Sequence, residues 1–364
     1  MIYLLYQGLI LRMAGAAVTS FLIVLMLGPR LIRMLLRRKI GDSPEFDHTD
    51  LNELTRHKSN TPTMGGVLIV ISIFGSVVVF ANMQNMYVIV TLVALVWLGV
   101  LGGVDDWIKL RGETGREGLR MWEKLVFQIA LAVLLSIYTY NYGRESTIDG
   151  KNPAHSLYLP LGVEPIALSI LPYTIIMTLT MVGSSNAVNL TDGMDGLAAG
   201  CVVIVALVFL LLAEVVGVRA WAVFFRLPLV AGAAEMTVVC AALMGSCLGF
   251  LWYNAHPAQV FMGDTGSLPL GGLLGYIAVV TRQEAVLLIA GGVFVMEAGS
   301  VLLQVGYFKL TKPKGGLEGK RLFRCAPVHH HFHLGGWAEA KVVVRFWLLG
   351  IIFAALALAT LKLR

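Results

Sequence analysis

The central polar stretch of the sequence reads Asn186-Ala187-Val188-Asn189-Leu190-Thr191-Asp192-Gly193-Met194-Asp195-Gly196, and it lies between two apolar runs that are each long enough to cross a lipid bilayer. Polar side chains at the end of a membrane span are costly and usually mark a functional site. If the stretch is helical, Asn189, Asp192 and Asp195 recur every third residue and spread their oxygen atoms over about 120° of the helix surface. The alternative is a solvated loop, since loops favour the same residue types. We give the functional interpretation more weight, because three further carboxylates lie at comparable boundaries.

The composition places the chain among membrane proteins. Of its 364 residues, 57% are hydrophobic and 14% are charged, and the mean hydropathy is +0.78, whereas soluble domains carry about 25% charged residues. Apolar runs of about 20 residues predict transmembrane helices. Ten such runs lie near residues 13–36, 64–82, 86–104, 122–140, 166–186, 196–216, 229–251, 265–281, 284–306 and 341–361. We therefore predict an all-α, polytopic integral membrane protein. Gly291-Gly292 and Gly299 leave open whether the ninth helix is continuous.

The distribution of lysine and arginine predicts the orientation of these helices. If the amino terminus lies outside, most of the 28 basic residues fall in the inner connections and span ends, as the positive-inside rule requires. We therefore predict that both termini lie outside and that residues 1–364 form a single membrane-embedded domain. Its site would be built from the inner loops 37–63, 105–121, 187–195, 252–264 and 307–340. The net charge of +6 then reflects basic residues beside anionic lipid, so that nucleic acid is not expected as a partner.

Two further acidic motifs lie at the ends of predicted spans. Asp105-Asp106 follows the third run, and Phe261-Met262-Gly263-Asp264-Thr265-Gly266-Ser267 precedes the eighth. With Asp192 and Asp195 they bring five carboxylates to one face, and hard oxygen ligands of this kind suit Mg²⁺, which bridges to substrate phosphates. For Asp264, a helix cap is the alternative. The chain has no GxxxxGK[ST] motif, so nucleotide hydrolysis by a P-loop is not expected.

A histidine tract, Pro327-Val328-His329-His330-His331-Phe332-His333, lies in the last inner loop. Such tracts often bind metal, and Cys325 nearby offers a thiolate for a zinc site. We rank zinc low, because three adjacent histidines cannot all face one tetrahedral ion without strain and no CxxC partner is present. Histidines that donate to phosphate oxygens fit better. Residues 58–66, which contain a lysine, hydroxyls and paired glycines before the second span, are only a weak phosphate-binding signal.

Taken together, these motifs resemble the polyprenyl-phosphate N-acetylhexosamine-1-phosphate transferases. The matching pieces are Thr61-Pro62-Thr63-Met64-Gly65-Gly66, Asp105-Asp106, Asn186 to Gly196, Phe261 to Ser267 and Pro327 to Phe332. The triple histidine is similar to the branch with a muramoyl donor, whereas the acidic motifs are shared with the GlcNAc-1-phosphate branch. The resemblance implies that phospho-MurNAc-pentapeptide passes from its UDP carrier to undecaprenyl phosphate. This reaction releases UMP and gives lipid I in the first membrane step of peptidoglycan synthesis.

The resemblance also implies which residues are catalytic and which hold the metal. Asp105 would position or deprotonate the lipid phosphate, with Asp106 in support. Mg²⁺ held by Asp264, with Asp192 through a water molecule, would neutralise the pyrophosphate. The alternative makes Asp264 the nucleophile of a two-step path, and the sequence does not choose between them. The remaining catalytic candidates are His329, His330 and His331, which would serve the sugar-phosphate or peptide end.

The same resemblance gives a set of substrate-binding residues. Those expected around the uridine end are Lys58, Asn189, Asp195, Asn254 and Phe261. The set is completed by Thr63, Lys124, Asn186 and Asp192. The implied partners are UDP-MurNAc-pentapeptide, undecaprenyl phosphate and membrane lipid, in the bacterial cytoplasmic membrane. A homodimer stays open as the form of assembly.

Two other functions are weighed against this one. A cation-coupled transporter also places carboxylates in membrane spans, but it predicts them near the bilayer midplane together with internal repeats. Glu297 is the one carboxylate well inside a predicted span that we single out, and we expect a structural hydrogen bond for it. A sibling transferase that uses UDP-GlcNAc differs only in its donor, and the histidine tract argues against it.

Overall fold

A computed structural model describes residues 8–37, 58, 61–111, 118–143, 155–160, 164–313 and 319–362 of the chain. Nearly all of the regular structure in this part is helical. The helices are α1 (Leu9–Arg37), α2 (Gly66–Phe80), α3 (Met86–Arg111), α4 (Met121–Gly143), α5 (Ile170–Thr191), α6 (Leu197–Gly217), α7 (Arg219–Phe225), α8 (Met236–Asn254), α9 (Asp264–Val280), α10 (Glu284–Ala290), α11 (Gly292–Thr311), α12 (Val328–Leu334) and α13 (Glu339–Ala359). Short 3₁₀ turns cover Ala233–Glu235 and Thr360–Lys362, and two short strands, β1 (Ser156–Leu157) and β2 (Ile166–Ala167), pair antiparallel.

The all-α, polytopic architecture predicted from the sequence is confirmed. Every predicted apolar run overlaps with at least one of these helices, although several helices extend beyond the predicted limits. Seven helices in the described part of the chain are long and apolar enough to cross a membrane, and α2 and α9 are shorter apolar helices. The number of ten spans and the outside position of both termini stay predictions.

Several helix boundaries differ from those expected. Helix α3 continues to Arg111 rather than stopping at residue 104, so Asp105 and Asp106 lie in its last turns and not in a loop. Helix α5 ends at Thr191, and the next helix begins only at Leu197. The central polar stretch is therefore a helix end followed by a turn, so the helical geometry considered for it applies to Asn189, whereas Asp192 and Asp195 lie in the turn. Most of the predicted loop 37–63 lies outside the described residues.

The ninth predicted span is divided into two helices. Helix α10 ends at Ala290, Gly291 stands between the two, and α11 begins at Gly292. A Cβ atom on Gly292 would lie 2.6 Å from the ring of Phe353 in α13. The absence of a side chain at Gly292 therefore lets the start of α11 approach α13 closely. The ninth span is therefore not one continuous helix, and the break lies at the paired glycines.

Helix α9 is the central element, and every residue from Asp264 to Val280 is buried. Glycines let its first turn contact two other helices at backbone distance. A Cβ atom on Gly102 of α3 would lie 2.1 Å from the Asp264 carbonyl oxygen, and one on Gly66 of α2 would lie 2.1 Å from the Gly266 nitrogen. The amino terminus of α9 is thereby placed against α2 and α3, which brings three predicted motifs together.

A separate ion pair connects helices at the end of the bundle that lies away from the amino terminus of α9. Arg12 in α1 donates to both carboxylate oxygens of Glu235 at 2.8 and 2.9 Å. Glu235 also accepts a hydrogen bond from the backbone N–H of Asn82, which follows the end of α2. This pair therefore ties three segments together far from the amino terminus of α9.

Candidate active site

Two carboxylates and two lysines meet where α3, α4 and α9 come together. Lys124 donates to Asp105 Oδ2 at 2.8 Å and to Asp264 Oδ2 at 2.7 Å. Lys109 lies 2.7 Å from the same Asp105 oxygen and 3.5 Å from the same Asp264 oxygen. Because α3 continues past residue 104, Asp105 and Lys109 are one helical turn apart and face the same side. The other oxygen of Asp105 accepts the backbone N–H of Leu119 at 2.7 Å.

Asp106 has a different task from its neighbour. Its carboxylate accepts hydrogen bonds from the backbone N–H groups of Asp264 and Thr265 at 3.1 and 2.9 Å, and from the Thr265 hydroxyl at 2.6 Å. It therefore caps the amino terminus of α9 from another helix, where a negative charge is favoured by the helix dipole. Asp264 is not the N-cap residue, which is Gly263, and its side chain accepts hydrogen bonds from Lys124 and Asn189. As an acidic residue in the first turn it still interacts favourably with the helix dipole, which is the part of the cap alternative that stands.

The two asparagines of the central stretch diverge. Asn189 donates from its amide nitrogen to Asp264 Oδ1 at 2.7 Å and to Ser267 Oγ at 2.9 Å. Asn186, one turn earlier in α5, donates to the side-chain oxygen of Gln128 in α4 at 2.8 Å. Asn189 therefore holds the Asp264 carboxylate, whereas Asn186 joins two helices, and its predicted substrate contact stays a prediction.

A polar pocket of about 250 Å³ opens beside this centre. The residues that line it are Lys58, Thr63, Asp106, Lys109, Asn189, Asp192, Gly193, Met194, Asp195, Asn254, Phe261, Gly263 and Asp264. Seven of the predicted substrate-binding residues are among them, and Lys124 is one hydrogen bond away through Asp264. Burial and the neighbouring charge of Asp264 raise the pKa of Asp192 well above its ordinary value. Asp264 thus adds like-charge repulsion to the cost of burying Asp192.

The far wall of the pocket is an ion-pair network around Lys58. Its ammonium group donates to Asp195 Oδ1 at 2.6 Å and to Glu339 Oε1 at 2.5 Å. The other oxygen of Asp195 is 3.0 Å from His256 Nδ1 and accepts the backbone N–H of Ala258. Burial alone would raise the pKa of Asp195, but Lys58 brings it below the ordinary value. The solvated-loop alternative for the central stretch is therefore wrong, because Asp195 is buried and fully engaged.

Asn254 and Phe261 complete that wall. Asn254 accepts the backbone N–H of Gly196 at 2.9 Å and donates to the carbonyl of Val260. The ring centroid of Phe261 lies 5.8 Å from Lys58 Nζ. These contacts join the end of α8 to the turn before α6, which has a positive φ of 79° at Gly196.

The histidine tract forms the short helix α12, and its members point to different neighbours. A Cβ atom on Gly193 would lie 2.3 Å from His329 Nε2 and 3.2 Å from His330 Nε2, so both rings face the pocket turn. His331 instead accepts the backbone N–H of Arg324 at 3.1 Å. Burial, followed by the charge of His329, lowers the pKa of His330 to about 2. Two of the three histidines thus reach the site and the third does not.

Glu297 explains how His329 is held. Its carboxylate oxygen lies 3.1 Å from His329 Nδ1, and both side chains are fully buried. The same carboxylate oxygen accepts the backbone N–H of His329 at 3.5 Å, which is the structural hydrogen bond expected for Glu297. With Nδ1 beside a carboxylate, the opposite ring nitrogen of His329 faces Gly193.

The carboxylates suit a divalent metal ion. Among the described residues, Asp105, Asp106 and Asp264 place oxygen atoms within 4.8 Å of one another, and Asp195, His256 and Glu339 form a second such group. The first group supplies the hard oxygen donors that Mg²⁺ prefers. Each group already contains a bridging lysine, Lys124 between Asp105 and Asp264 in the first and Lys58 between Asp195 and Glu339 in the second. Asp192 lies in the same pocket as Asp264 but outside both groups, and neither group includes Cys325 or the histidine tract.

Three residues at the site lie outside the predicted catalytic, substrate-binding and metal-binding sets. Glu339 and His256 reach the Lys58 network, and Lys109 joins the carboxylate–lysine centre. Lys109 had a usable signal, since it stands four residues after Asp105 and would share its face in a longer helix. Glu339 had none, because a glutamate before an apolar run is also an ordinary helix start.

Comparison with known proteins agrees with this geometry. The profile described as glycosyl transferase family 4 matches residues 88–282, and a phospho-N-acetylmuramoyl-pentapeptide-transferase signature matches residues 58–70. Similar curated proteins include the phospho-N-acetylmuramoyl-pentapeptide-transferases of Desulfotalea psychrophila, 45% identical, Desulforapulum autotrophicum, 42% identical, and Rickettsia akari, 41% identical. Each comparison covers 99% of this chain and 95% of the relative. The resemblance drawn from the motifs is confirmed.

Proposed function

Because the chain belongs to the phospho-N-acetylmuramoyl-pentapeptide-transferases of glycosyl transferase family 4, we propose that its polar pocket is where phospho-MurNAc-pentapeptide leaves its UDP carrier. The acceptor is undecaprenyl phosphate, and the products are lipid I and UMP. The observation that carries this proposal is the meeting of Asp105, Lys109, Lys124 and Asp264 beside a pocket lined with polar groups.

The paired lysines suit two phosphate-bearing substrates. Phosphoryl-type transfer needs positioning and charge neutralisation more than covalent chemistry by the protein. The ammonium groups of Lys109 and Lys124 are held by carboxylates on one side, and their side chains are 37% and 19% exposed. They can therefore donate to phosphate oxygens without moving far. Asp105 would orient the lysines and the lipid phosphate, which as a monoester needs little deprotonation near neutral pH.

The contacts of Asp264 favour a direct transfer over a two-step path. One of its oxygens accepts Asn189 and the other accepts Lys124. Hydrogen bonds and positive charge stabilise a carboxylate and reduce its nucleophilicity. Asp264 is thus better suited to hold charge than to attack phosphorus, and Asp106, as the cap of α9, would fix its position.

Mg²⁺ would be held by Asp264, with Asp105 and Asp106 close by and Asp192 across the pocket. When bound, it supplies positive charge to the diphosphate of the donor. Lys58, Asn254 and Phe261 would then surround the uridine end. His329 and His330, beside Gly193, would face the sugar-phosphate end.

The membrane setting follows from the substrates. The lipid acceptor lies in the membrane and the nucleotide donor comes from the cytosol, so the pocket would face the inner surface of the bacterial cytoplasmic membrane. The distribution of basic residues agrees with ten spans and with both termini outside. A single domain over residues 1–364 stays part of the proposal. Homodimer formation stays a prediction that no contact in the described residues supports.

The test is a transfer assay with purified protein. UMP should be released from UDP-MurNAc-pentapeptide only when both polyprenyl phosphate and Mg²⁺ are present. Chelation with EDTA should stop turnover, and added Mg²⁺ should restore it; equal turnover in EDTA would refute the metal role. UMP release without the lipid acceptor would refute the transfer.

A competing donor separates the two branches of the family. UDP-GlcNAc, added in excess, should not be consumed, because the histidines beside Gly193 are expected to serve the muramoyl donor. Turnover of UDP-GlcNAc at a comparable rate would instead assign the chain to the sibling branch. Cation uptake into vesicles without any transfer would favour the transporter.

A further inference from the structure

We propose that Glu339 is a positioning residue that fixes Lys58 and the turn before α6, and thereby sets the affinity for the uridine-diphosphate donor. The inference rests on the proposed function of the polar pocket. Glu339 is not one of the residues that line the pocket, so it acts through the groups that do.

The first link runs through the ammonium group of Lys58. Glu339 Oε1 and Asp195 Oδ1 both accept from this group, and all three side chains are at least nine-tenths buried. A buried ammonium is placed by its carboxylates, since each lost partner leaves an uncompensated charge. Glu339 is therefore one of two groups that decide where Lys58 stands in the pocket wall.

The second link runs through the backbone of the turn. The same Glu339 oxygen accepts the N–H of Asp195 at 2.9 Å. The next N–H, that of Gly196, is held by Asn254. Two successive backbone groups of the turn are thus fixed by side chains from other helices. Asp192 and Gly193, which face the pocket, lie on this turn.

The third link is the rigidity of the support. Glu339 is the first residue of α13, where the helix dipole favours a carboxylate. Helix α13 packs along α6 and also contacts α10 and α11. Because Glu339 belongs to a long, well-packed helix, it holds Lys58 and Asp195 in place at the nucleotide end of the pocket. Lys58 and Asp195 are not part of such a helix themselves.

The proposal predicts a separation of kinetic constants. Glu339→Ala should raise KM for UDP-MurNAc-pentapeptide roughly 10- to 100-fold, the effect of losing hydrogen bonds to a charged group. Because Glu339 is away from Asp105 and Asp264, kcat and KM for the polyprenyl phosphate should change less than about threefold. Glu339→Gln keeps an oxygen that accepts from the Asp195 N–H, so its KM should rise less.

A double variant tests whether Glu339 acts through the lysine. If it does, Lys58→Met combined with Glu339→Gln should give a KM close to that of Lys58→Met alone. Full multiplication of the two single effects would overturn the proposal, and so would a wild-type KM in both Glu339 variants or a loss confined to kcat.

Glu235 provides the matched control, since it is a partly buried acidic partner of an arginine at the opposite end of the bundle. Glu235→Ala should lower the thermal stability in detergent without changing KM. If Glu339→Ala fails to fold, Glu339→Gln and the double variant carry the test.

UMP binding separates the two proposals, because it needs neither transfer nor the acceptor. Thermal stabilisation by UMP should weaken in both Glu339 variants but not in Glu235→Ala. If the wild type binds UMP with this dependence yet transfers no sugar phosphate, the proposed function fails while the role of Glu339 stands. Equal stabilisation in all variants would remove that role.

Discussion

Lys124 gives the sharpest test of the carboxylate–lysine centre. Its ammonium group is within 2.8 Å of Asp105 and 2.7 Å of Asp264 through one oxygen of each. Replacing it with methionine keeps an unbranched side chain that is one atom shorter, and it removes the charge together with the two hydrogen bonds that the ammonium group donates. Lys109 then remains as the single ammonium between the two carboxylates, at 2.7 and 3.5 Å.

The expected loss can be worked out from these distances. Two carboxylate oxygens within 4.8 Å of each other repel by about 3 kcal/mol at an effective dielectric constant of ~20. Lys109 compensates part of this repulsion, while the contribution of Lys124 to a bound phosphate is lost completely. Removal of one electrostatic stabiliser of a transition state usually costs about 2.7–4 kcal/mol. We therefore expect Lys124→Met to lower kcat roughly 100- to 1,000-fold.

The assay is UMP release at saturating donor and acceptor, with the folded state checked by thermal unfolding in detergent. Lys124→Arg keeps the charge but spreads it over a planar group, so it should recover part of the rate. A kcat for Lys124→Met within threefold of wild type would refute the reasoning, because the two carboxylates would then not need this charge.

Asp105→Asn and Asp264→Asn should each lower kcat by roughly 100-fold or more while the protein stays folded, and near-normal rates in both would move the reacting centre elsewhere. Asp106→Ala removes three hydrogen bonds from the first turn of α9, so it should lower the free energy of unfolding by about 3 kcal/mol; an unchanged melting temperature would contradict the capping role. Burial lowers the pKa of His330 to about 2, so below pH 6.5 only the unfolded chain protonates this ring and stability falls by about 1.4 kcal/mol per pH unit. His330→Gln should make the melting temperature less sensitive to pH between 6 and 4, and an identical slope would exclude this contribution.

The sequence predicted which segments carry the site but not how neighbouring residues divide the work. Asp105 and Asp106 are adjacent, and on a helix such neighbours point about 100° apart. One meets the ammonium groups of two lysines and the other meets the amino terminus of α9. Both are acids at the end of an apolar run, so nothing local separates these tasks.

The same limit applies to the asparagines. Asn186 and Asn189 stand three residues apart, and the pattern gave both to the substrate. Asn186 donates to Gln128 because α4 packs against that face of α5, whereas Asn189 faces α9. The role of each asparagine depends on which helix packs against its face of α5, and this is set by the tertiary structure.

Glycines carried more information than the prediction used. Gly66 belongs to the weak phosphate-binding signal 58–66 and Gly266 to the motif Phe261–Ser267, and no packing role is predicted for either of them or for Gly102. Their missing side chains nevertheless let α2 and α3 touch the backbone of α9. This close approach brings Asp105 and Asp264 to a shared lysine although they are far apart in the chain. A prediction that gave the glycines a packing role would have placed these motifs together without the resemblance.

The balance of charge in the pocket argues for a divalent cation. Lys58 and Lys109 line it together with four carboxylates, those of Asp106, Asp192, Asp195 and Asp264. The lysines are already held by carboxylates, so a diphosphate and a lipid phosphate would add negative charge to a pocket that has no positive excess. Burial, followed by the charges of Asp264, Asp106 and Asp195, raises the pKa of Asp192 before any substrate enters. A site with this lining binds two phosphorylated substrates only if a further positive charge enters with them, and the closely spaced oxygens beside Asp264 are where an ion of that kind is best coordinated.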